Sequence, residues 1–168
     1  MTIILQSFWR MMTFRLGPES IPYNPSLAAI CLAIDVLVSI AANNLLLDQS
    51  SFGQSFIQTL LILLINGLLI WIILTLRGFH KRFTQTMTAY LGCDLLLTAA
   101  SLITLPAAAA INDSIQNFVT PLLSFWSIAV FGFIFHKSFD VPISIGVIGA
   151  FILIIFSYRL SQILLTVL

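Results

Sequence analysis

The chain has 168 residues, of which 60% are hydrophobic and only 8% charged, with a formal net charge of +1. A typical soluble domain carries roughly 25% charged residues, so this composition excludes an ordinary water-soluble fold and points to an all-α protein embedded in a bilayer. The near-neutral charge also excludes nucleic acid as a partner, since that needs a concentrated basic face.

Residues 1–25 read as a cytoplasmic amphipathic helix and its link. Gln6, Arg10 and Thr13 fall at i, i+4 and i+7, a narrow polar stripe, while Ile3, Leu5, Phe8, Trp9, Met12 and Leu16 cover much of the rest. Such a helix lies along a bilayer surface with Trp9 at headgroup depth and Arg10 and Arg15 toward phosphates, or packs on a partner subunit. Gly17-Pro18 is expected to end it, because proline lacks the amide donor. The stretch is not a signal peptide: it has no basic region before the apolar residues and no small-residue cleavage site after them.

Residues 26–168 form a five-span membrane domain. A span needs about 20 apolar residues to cross a core of roughly 30 Å. The runs Leu27–Leu47, Phe56–Leu76, Thr86–Pro106, Phe118–Phe135 and Val141–Leu165 meet that length. Asp48-Gln49-Ser50-Ser51 separates the first two, and Asn112-Asp113-Ser114 separates the third and fourth. Asp140 is expected to cap the fifth span, with Pro142 in its first turn. Phe79-His80-Lys81-Arg82-Phe83 recurs as Phe135-His136-Lys137-Ser138-Phe139, so the chain reads as a duplicated hairpin turning through a basic, Phe-flanked loop. With the N-terminus inside, Arg10, Arg15, Arg77, Lys81, Arg82 and Lys137 share one side, which the excess of Lys and Arg in cytoplasmic loops makes the cytoplasm. Arg159 alone falls elsewhere, at the outer interface.

Three spans carry a polar residue near the midplane: Asp35, Asn66 and Asp94. Each lies roughly 12–15 Å from its cytoplasmic end at helical rise. An aspartate there costs about 2.5–3.5 kcal/mol on insertion scales, so a partner, a water-filled cavity or protonation must offset it. Thr86, Tyr90, Asp94, Thr98 and Ser101 make one continuous stripe along the third span, a face turned to other helices. A small residue two before and a hydroxyl four after each acid (Ala33 and Ser39, Gly92 and Thr98) give the two sites a common local pattern. This cluster is either a proton or cation site or a set of interhelical hydrogen bonds that fixes register.

Gly146 and Gly149 offer a small-residue face on the fifth span. Trp71 and Trp126 read as packing or interfacial anchors. Cys31 and Cys93 sit inside apolar runs as buried thiols. No HExxH, GxSxG, Walker or CxxC motif is present. His80 and His136 lack nearby third and fourth ligands, so neither a metal nor another cofactor is expected, and no catalytic residue is assigned. These histidines read as headgroup-level residues or pH sensors. Lys81, Arg82 and Lys137 beside them suit anionic lipid phosphates, worth roughly 1 kcal/mol each near the surface.

The chain from about Phe14 to Leu168 resembles the Yip-domain family of five-span membrane proteins. Arg82-Phe83-Thr84-Gln85-Thr86 leading into Tyr90-Leu91-Gly92 and ending at Pro106 is similar to that family's third span. Phe125-Trp126-Ser127-Ile128-Ala129-Val130, with Phe133 and a short basic turn after it, is similar to the fourth, and Phe139-Asp140-Val141-Pro142 to the start of the last. Eukaryotic members have a long cytoplasmic N-terminal region and are implicated in Rab GTPase binding and vesicle traffic. Here about two dozen residues precede the first span, which looks more like the compact bacterial branch and implies a bacterial inner (plasma) membrane location. The resemblance implies a non-enzymatic protein that organises membrane or recruits partners. Its partners would be the bilayer, anionic lipids, and another membrane protein or a second copy. A proton or cation pathway through Asp35 and Asp94, and a small accessory subunit of a larger complex, are the alternatives.

Overall fold

The computed structural model describes residues 2–46 and 52–167. Among these are six α-helices: α1 (Thr2–Met12), α2 (Pro25–Leu46), α3 (Phe52–Leu76), α4 (Phe83–Ile111), α5 (Asp113–Phe139) and α6 (Ile143–Val167). Single 3₁₀ turns at Pro18–Ser20 and His80–Arg82 punctuate the links. Five helices, α2 to α6, are long and apolar enough to cross a membrane. The fold is that of an integral membrane protein, all helical, as the composition predicts. Its outward-facing side chains include Leu37, Leu64, Leu68, Phe125, Ile148 and Ile152, an apolar exterior suited to lipid. The expected link at Asp48-Gln49-Ser50-Ser51 lies outside the described residues.

Helices α2 to α5 begin before the apolar runs that mark them, whereas α6 begins two residues inside its run and ends beyond it; side-chain caps set the starts of α2 and α5. Asn24 starts α2, its Oδ1 accepting from the amides of Ser26 (3.0 Å) and Leu27 (3.4 Å), with Pro25 at the first helical position. Pro106 does not end α4, which runs on to Ile111. Asn112 alone then joins α4 to α5 and caps the latter by accepting from the Ser114 amide at 2.9 Å.

The spans close into a ring. The closest pairings are α5 with α6, α2 with α4, and α4 with α5, while α3 bridges α6 and α2. α4 is central: Thr86 through Cys93 are all buried, with no lipid-facing stripe in that half. α5 and α6 cross at glycines. A Cβ on Gly132 would meet the Val147 backbone at 2.6 Å, and one on Gly146 would meet the Gly132 carbonyl oxygen and, at 2.9 Å, the His136 amide nitrogen. Gly146 thus provides the expected helix contact. Gly149 does not; it faces open space.

The sequence repeat does not make equivalent turns. α3 ends in a Schellman motif, with Gly78 left-handed (φ 77°), its amide on the Thr75 carbonyl and that of Phe79 on Leu74. The first FHK copy follows this reversal. The second copy precedes one: Phe135–Phe139 is the last turn of α5, and Asp140 (φ 52°) supplies the left-handed residue. Asp140 therefore terminates α5 instead of capping α6. Phe135 and Phe139 are buried and stacked at 5.0 Å, whereas His80, Lys81 and Arg82 are exposed. Both turns nevertheless lie at one end of the bundle, where Thr86 Oγ1 and Ser138 Oγ meet at 3.0 Å. We call this the turn end, and the end that holds Asn112 the far end.

α1 stops at Met12, before the Gly17-Pro18 expected to end it. Phe14 takes the left-handed position (φ 59°), the Arg15 amide bonds Arg10 and the Phe14 amide bonds Met11. Left-handed backbone costs a non-glycine residue about 1–2 kcal/mol. The Phe14 ring offsets part of that by standing edge-on to Phe133 at 5.5 Å. The apolar side of α1 rests on its own chain: Phe8, Met11 and Met12 are buried against α4 and α5, and the Phe8 ring lies where a Cβ on Gly92 would be. Trp126 Nε1 donates to the Met12 carbonyl at 3.2 Å. Gly92 and Trp126 lie about 14 and 20 Å from the turn-end termini of their helices at 1.5 Å per residue, so α1 docks at bilayer depth. Trp9, Arg10 and Arg15 remain exposed.

Candidate functional site: a polar cluster inside the bundle

Asp35, Asn66, Tyr90 and Asp94, drawn from three successive spans, converge. All four line one cavity of about 170 Å³ between α2, α3 and α4, together with Ser39, Asn43 and Thr59. Asn66, Tyr90 and Asp94 also line a second cavity of about 340 Å³ between α3, α4, α5 and α6. The trio is the wall between the two spaces.

Helical geometry explains the convergence. Tyr90, Asp94, Thr98 and Ser101 occupy one face of α4 and all line the larger cavity, as their spacing predicts. Thr86, the first member of that stripe, turns instead to Ser138 at the turn end. Opposite α4, Thr120, Ser124 and Ser127 repeat the same spacing on α5, and Ser157 and Tyr158 complete the lining from α6. Their own hydroxyl bonds are local: Ser124 to the Thr120 carbonyl and Ser127 to the Ser124 carbonyl. The i, i+4, i+7 spacing of Thr120, Ser124 and Ser127 is the sequence signal that marks this face of α5.

Polar bonding in the cluster is incomplete. Asn66 Nδ2 donates to Tyr90 Oη at 2.8 Å. Asp35 is 1% exposed and Asn66 3%. Asp35 Oδ1 and Asn66 Oδ1 are both fully enclosed without a hydrogen-bond partner. No basic side chain lines either cavity. Buried polar groups are normally satisfied, and an orphan in low dielectric costs about 1–3 kcal/mol, more if charged. The pocket is oxygen-rich, shared by two carboxylates and the Asn66 carbonyl, and its donors are all neutral: the hydroxyls of Ser39, Thr59 and Tyr90 and the amides of Asn43 and Asn66.

Both cavities lie in the far half of the bundle. From the trio the larger one extends to Ser101, Leu105 and Thr120, and the smaller to Asn43 and Thr59. Toward the turn end an apolar layer that includes Ile70, Leu74, Leu91, Ile134 and Phe135 fills the interior. Phe131 packs tilted against Tyr90, ring centres 4.6 Å apart and planes at 32°, at that boundary. At the far end, Asn43 Nδ2 bonds Thr59 Oγ1 (3.2 Å) and Ser55 Oγ bonds Asn44 Oδ1 (2.9 Å), joining α2 to α3.

The basic residues separate into several environments. Arg82 and Lys137 line a third cavity, about 200 Å³, under the Pro18–Ser20 turn, with Glu19, Gln85, Thr86 and Ser138. Gln85 Nε2 ties that turn down through the Ile21 carbonyl at 3.0 Å. Arg82 also sits 4.5 Å from the centre of the Phe79 ring. His136 is half-buried, its Nδ1–H donating to the Val141 carbonyl. Arg159 is exposed on α6 in the far half. Cys31 and Cys93 are free and buried. Among the described residues no cluster of three His, Cys, Asp or Glu side chains forms a metal site. Comparison with family models, with curated proteins and with solved structures finds no match for the chain.

Proposed function

We propose that this integral membrane protein binds a proton or a small inorganic cation between Asp35, Asn66 and Asp94, reached from the far end of the bundle. The observation that carries this reading is the pair of enclosed acceptors, Asp35 Oδ1 and Asn66 Oδ1, facing a cavity that two carboxylates share. A structural hydrogen-bond cluster would satisfy its own acceptors. This one leaves them open and supplies no basic side chain, so compensating positive charge must come from outside the chain. The position of the basic residues supports an arrangement with the turn end cytoplasmic and the cavities facing outward. Reconstitution into liposomes tests the reading. A pH or sodium gradient is expected to drive flux, or saturable binding where the apolar layer blocks passage, and Asp35→Asn with Asp94→Asn is expected to abolish it. Wild-type protein with neither flux nor binding refutes it.

A second reading follows from the third cavity. Arg82 from one turn and Lys137 from the other line it together, with Lys81 exposed beside them. That supports the membrane-organising or partner-recruiting role implied by the Yip-domain resemblance, at a bacterial inner membrane, with anionic headgroups engaged on the cytoplasmic side. Replacing Lys81, Arg82 and Lys137 by Gln is expected to lower co-purification of anionic lipid. Unchanged lipid content removes this reading.

A further inference from the structure

We propose that the larger cavity is a binding site for an organic ammonium ion, whose cationic head displaces protons from Asp94. The inference rests on the cation-binding reading above and adds a ligand class to it.

Three observations converge on that class. The larger cavity has one carboxylate, Asp94, and no basic side chain. Three aromatic rings, Tyr90, Phe131 and Tyr158, line it with aliphatic residues, and a cation facing such rings gains cation–π attraction on top of the charge pair. Hydroxyls at Thr98, Ser101, Thr120, Ser124, Ser127 and Ser157 supply groups that can accept from an N–H or solvate a polar tail. A bare inorganic cation needs a tight cage of oxygens, and about 340 Å³ of mixed aromatic and hydroxyl lining is too roomy and too apolar for one. It matches the lower range of small-molecule pockets, roughly 300–1,000 Å³. The neighbouring space of about 170 Å³, with its unpartnered acceptors, suits the proton or small cation instead.

Asp94 is the one carboxylate common to both cavities, and Asp35 borders the smaller one only. An ammonium on Asp94 and a proton on Asp94 therefore exclude one another. The ionisable groups around Asp94 are few. α2 presents Asp35, with Cys31 beside it; α6 presents Tyr158; α4 itself adds Tyr90 and Cys93. The linings contributed by α3 and α5 contain none, and α1 presents the Phe8 ring to Gly92. Falling pH should thus weaken ammonium binding through Asp94.

The test uses the full chain in nanodiscs of neutral phosphatidylcholine, with choline as the probe and, as control, its uncharged analogue in which carbon replaces the ammonium nitrogen. Calorimetry is expected to show saturable choline binding that weakens as pH falls, with the uncharged analogue bound at least about tenfold more weakly, as for loss of a buried charge partner. Asp94→Asn should lower choline affinity by about tenfold or more and flatten the pH dependence. Ser127→Phe, which fills the larger cavity, should also abolish binding. Ile148→Ala and Leu76→Ala should leave choline affinity within about threefold, since these exposed side chains border neither cavity. Equal binding of the uncharged analogue, which needs no variant to be folded, overturns the proposal, as does choline binding that survives Asp94→Asn. If choline does not bind while Asp35-dependent proton or sodium binding persists, this inference fails and the cation-binding reading stands; if neither occurs, both fail.

Discussion

Replacing Asp35 by Leu separates a functional acid from a structural one by the sign of its effect on stability. Asp35 is 1% exposed, its Oδ1 has no partner, and the adjoining cavity of about 170 Å³ leaves room for the bulkier methyls of Leu, which replace the two carboxylate oxygens atom for atom. At the centre of a span, Asp costs about 2.5–3.5 kcal/mol on insertion scales and Leu gains about 0.3–0.6. The full difference will not be realised, because Asn66 Oδ1 and Asp94 remain polar neighbours of the new side chain. Replacing buried ionic groups by apolar ones of similar volume stabilises by about 1–4 kcal/mol where it succeeds. The expected gain is therefore about 1–3 kcal/mol, accompanied by loss of cation binding, the trade expected when an active group is held at a cost in stability. Reversible unfolding in mixed detergent micelles, followed by far-UV circular dichroism, measures it. Tyr90→Phe supplies the opposite sign in the same assay. It removes the acceptor of a 2.8 Å buried hydrogen bond from Asn66 and should destabilise by about 1–3 kcal/mol. A loss of 1 kcal/mol or more in Asp35→Leu, beyond the roughly 0.5 kcal/mol scatter of such measurements, would show that Asp35 holds helices together and would refute the argument.

Three further outcomes follow from the packing. Gly146→Ala should destabilise by about 1–3 kcal/mol because its methyl runs into the α5 backbone, which cannot rotate away. Gly149→Ala meets open space and should be neutral or stabilising by up to about 1 kcal/mol, so equal losses in the two variants would contradict the assigned crossing. Asp140→Gly should stabilise by a few tenths to about 1 kcal/mol in the same unfolding assay by relieving left-handed backbone, and a loss would mean that the Asp140 side chain holds the turn. Trp126→Phe leaves the Met12 carbonyl without its donor and should speed hydrogen exchange along α1 without altering exchange in α6; unchanged α1 exchange would show that apolar contact alone docks the helix.

Span number and the inward stripe of α4 were legible because each rests on periodicity. Apolar length sets the first, and the four-four-three spacing of Tyr90, Asp94, Thr98 and Ser101 sets the second. The meeting of Asp35, Asn66 and Asp94 was legible as shared depth alone. Which neighbours enclose them depends on the ring order α2–α4–α5–α6–α3, and apolar spans carry little sequence signal for ring order. The repeated FHK motif misled for a physical reason. A match at four of five positions fixes composition, but the turn is made by the left-handed residue, and that is Gly78 ahead of the first copy and Asp140 after the second. The stop of α1 at Phe14 was hidden because phenylalanine is not a reversal signal; tertiary contact with Phe133 selects it there. The α5 hydroxyls give a weaker signal, because serine and threonine in a span usually bond back to their own helix, which Thr120 and Ser124 also do while bordering the cavity.

The lone Asn112 between α4 and α5 limits how the interior can open. A one-residue hinge allows those two rods neither to slip lengthwise nor to part at that end without breaking the Asn112–Ser114 bond. They must travel as a stapled pair, carrying Asp94 and the α5 hydroxyls together. Any widening of the mouth then falls to α3 and α6, with α6 turning on its glycine crossing with α5 at Gly132 and Gly146, near the turn end, like the pivot of a pair of shears.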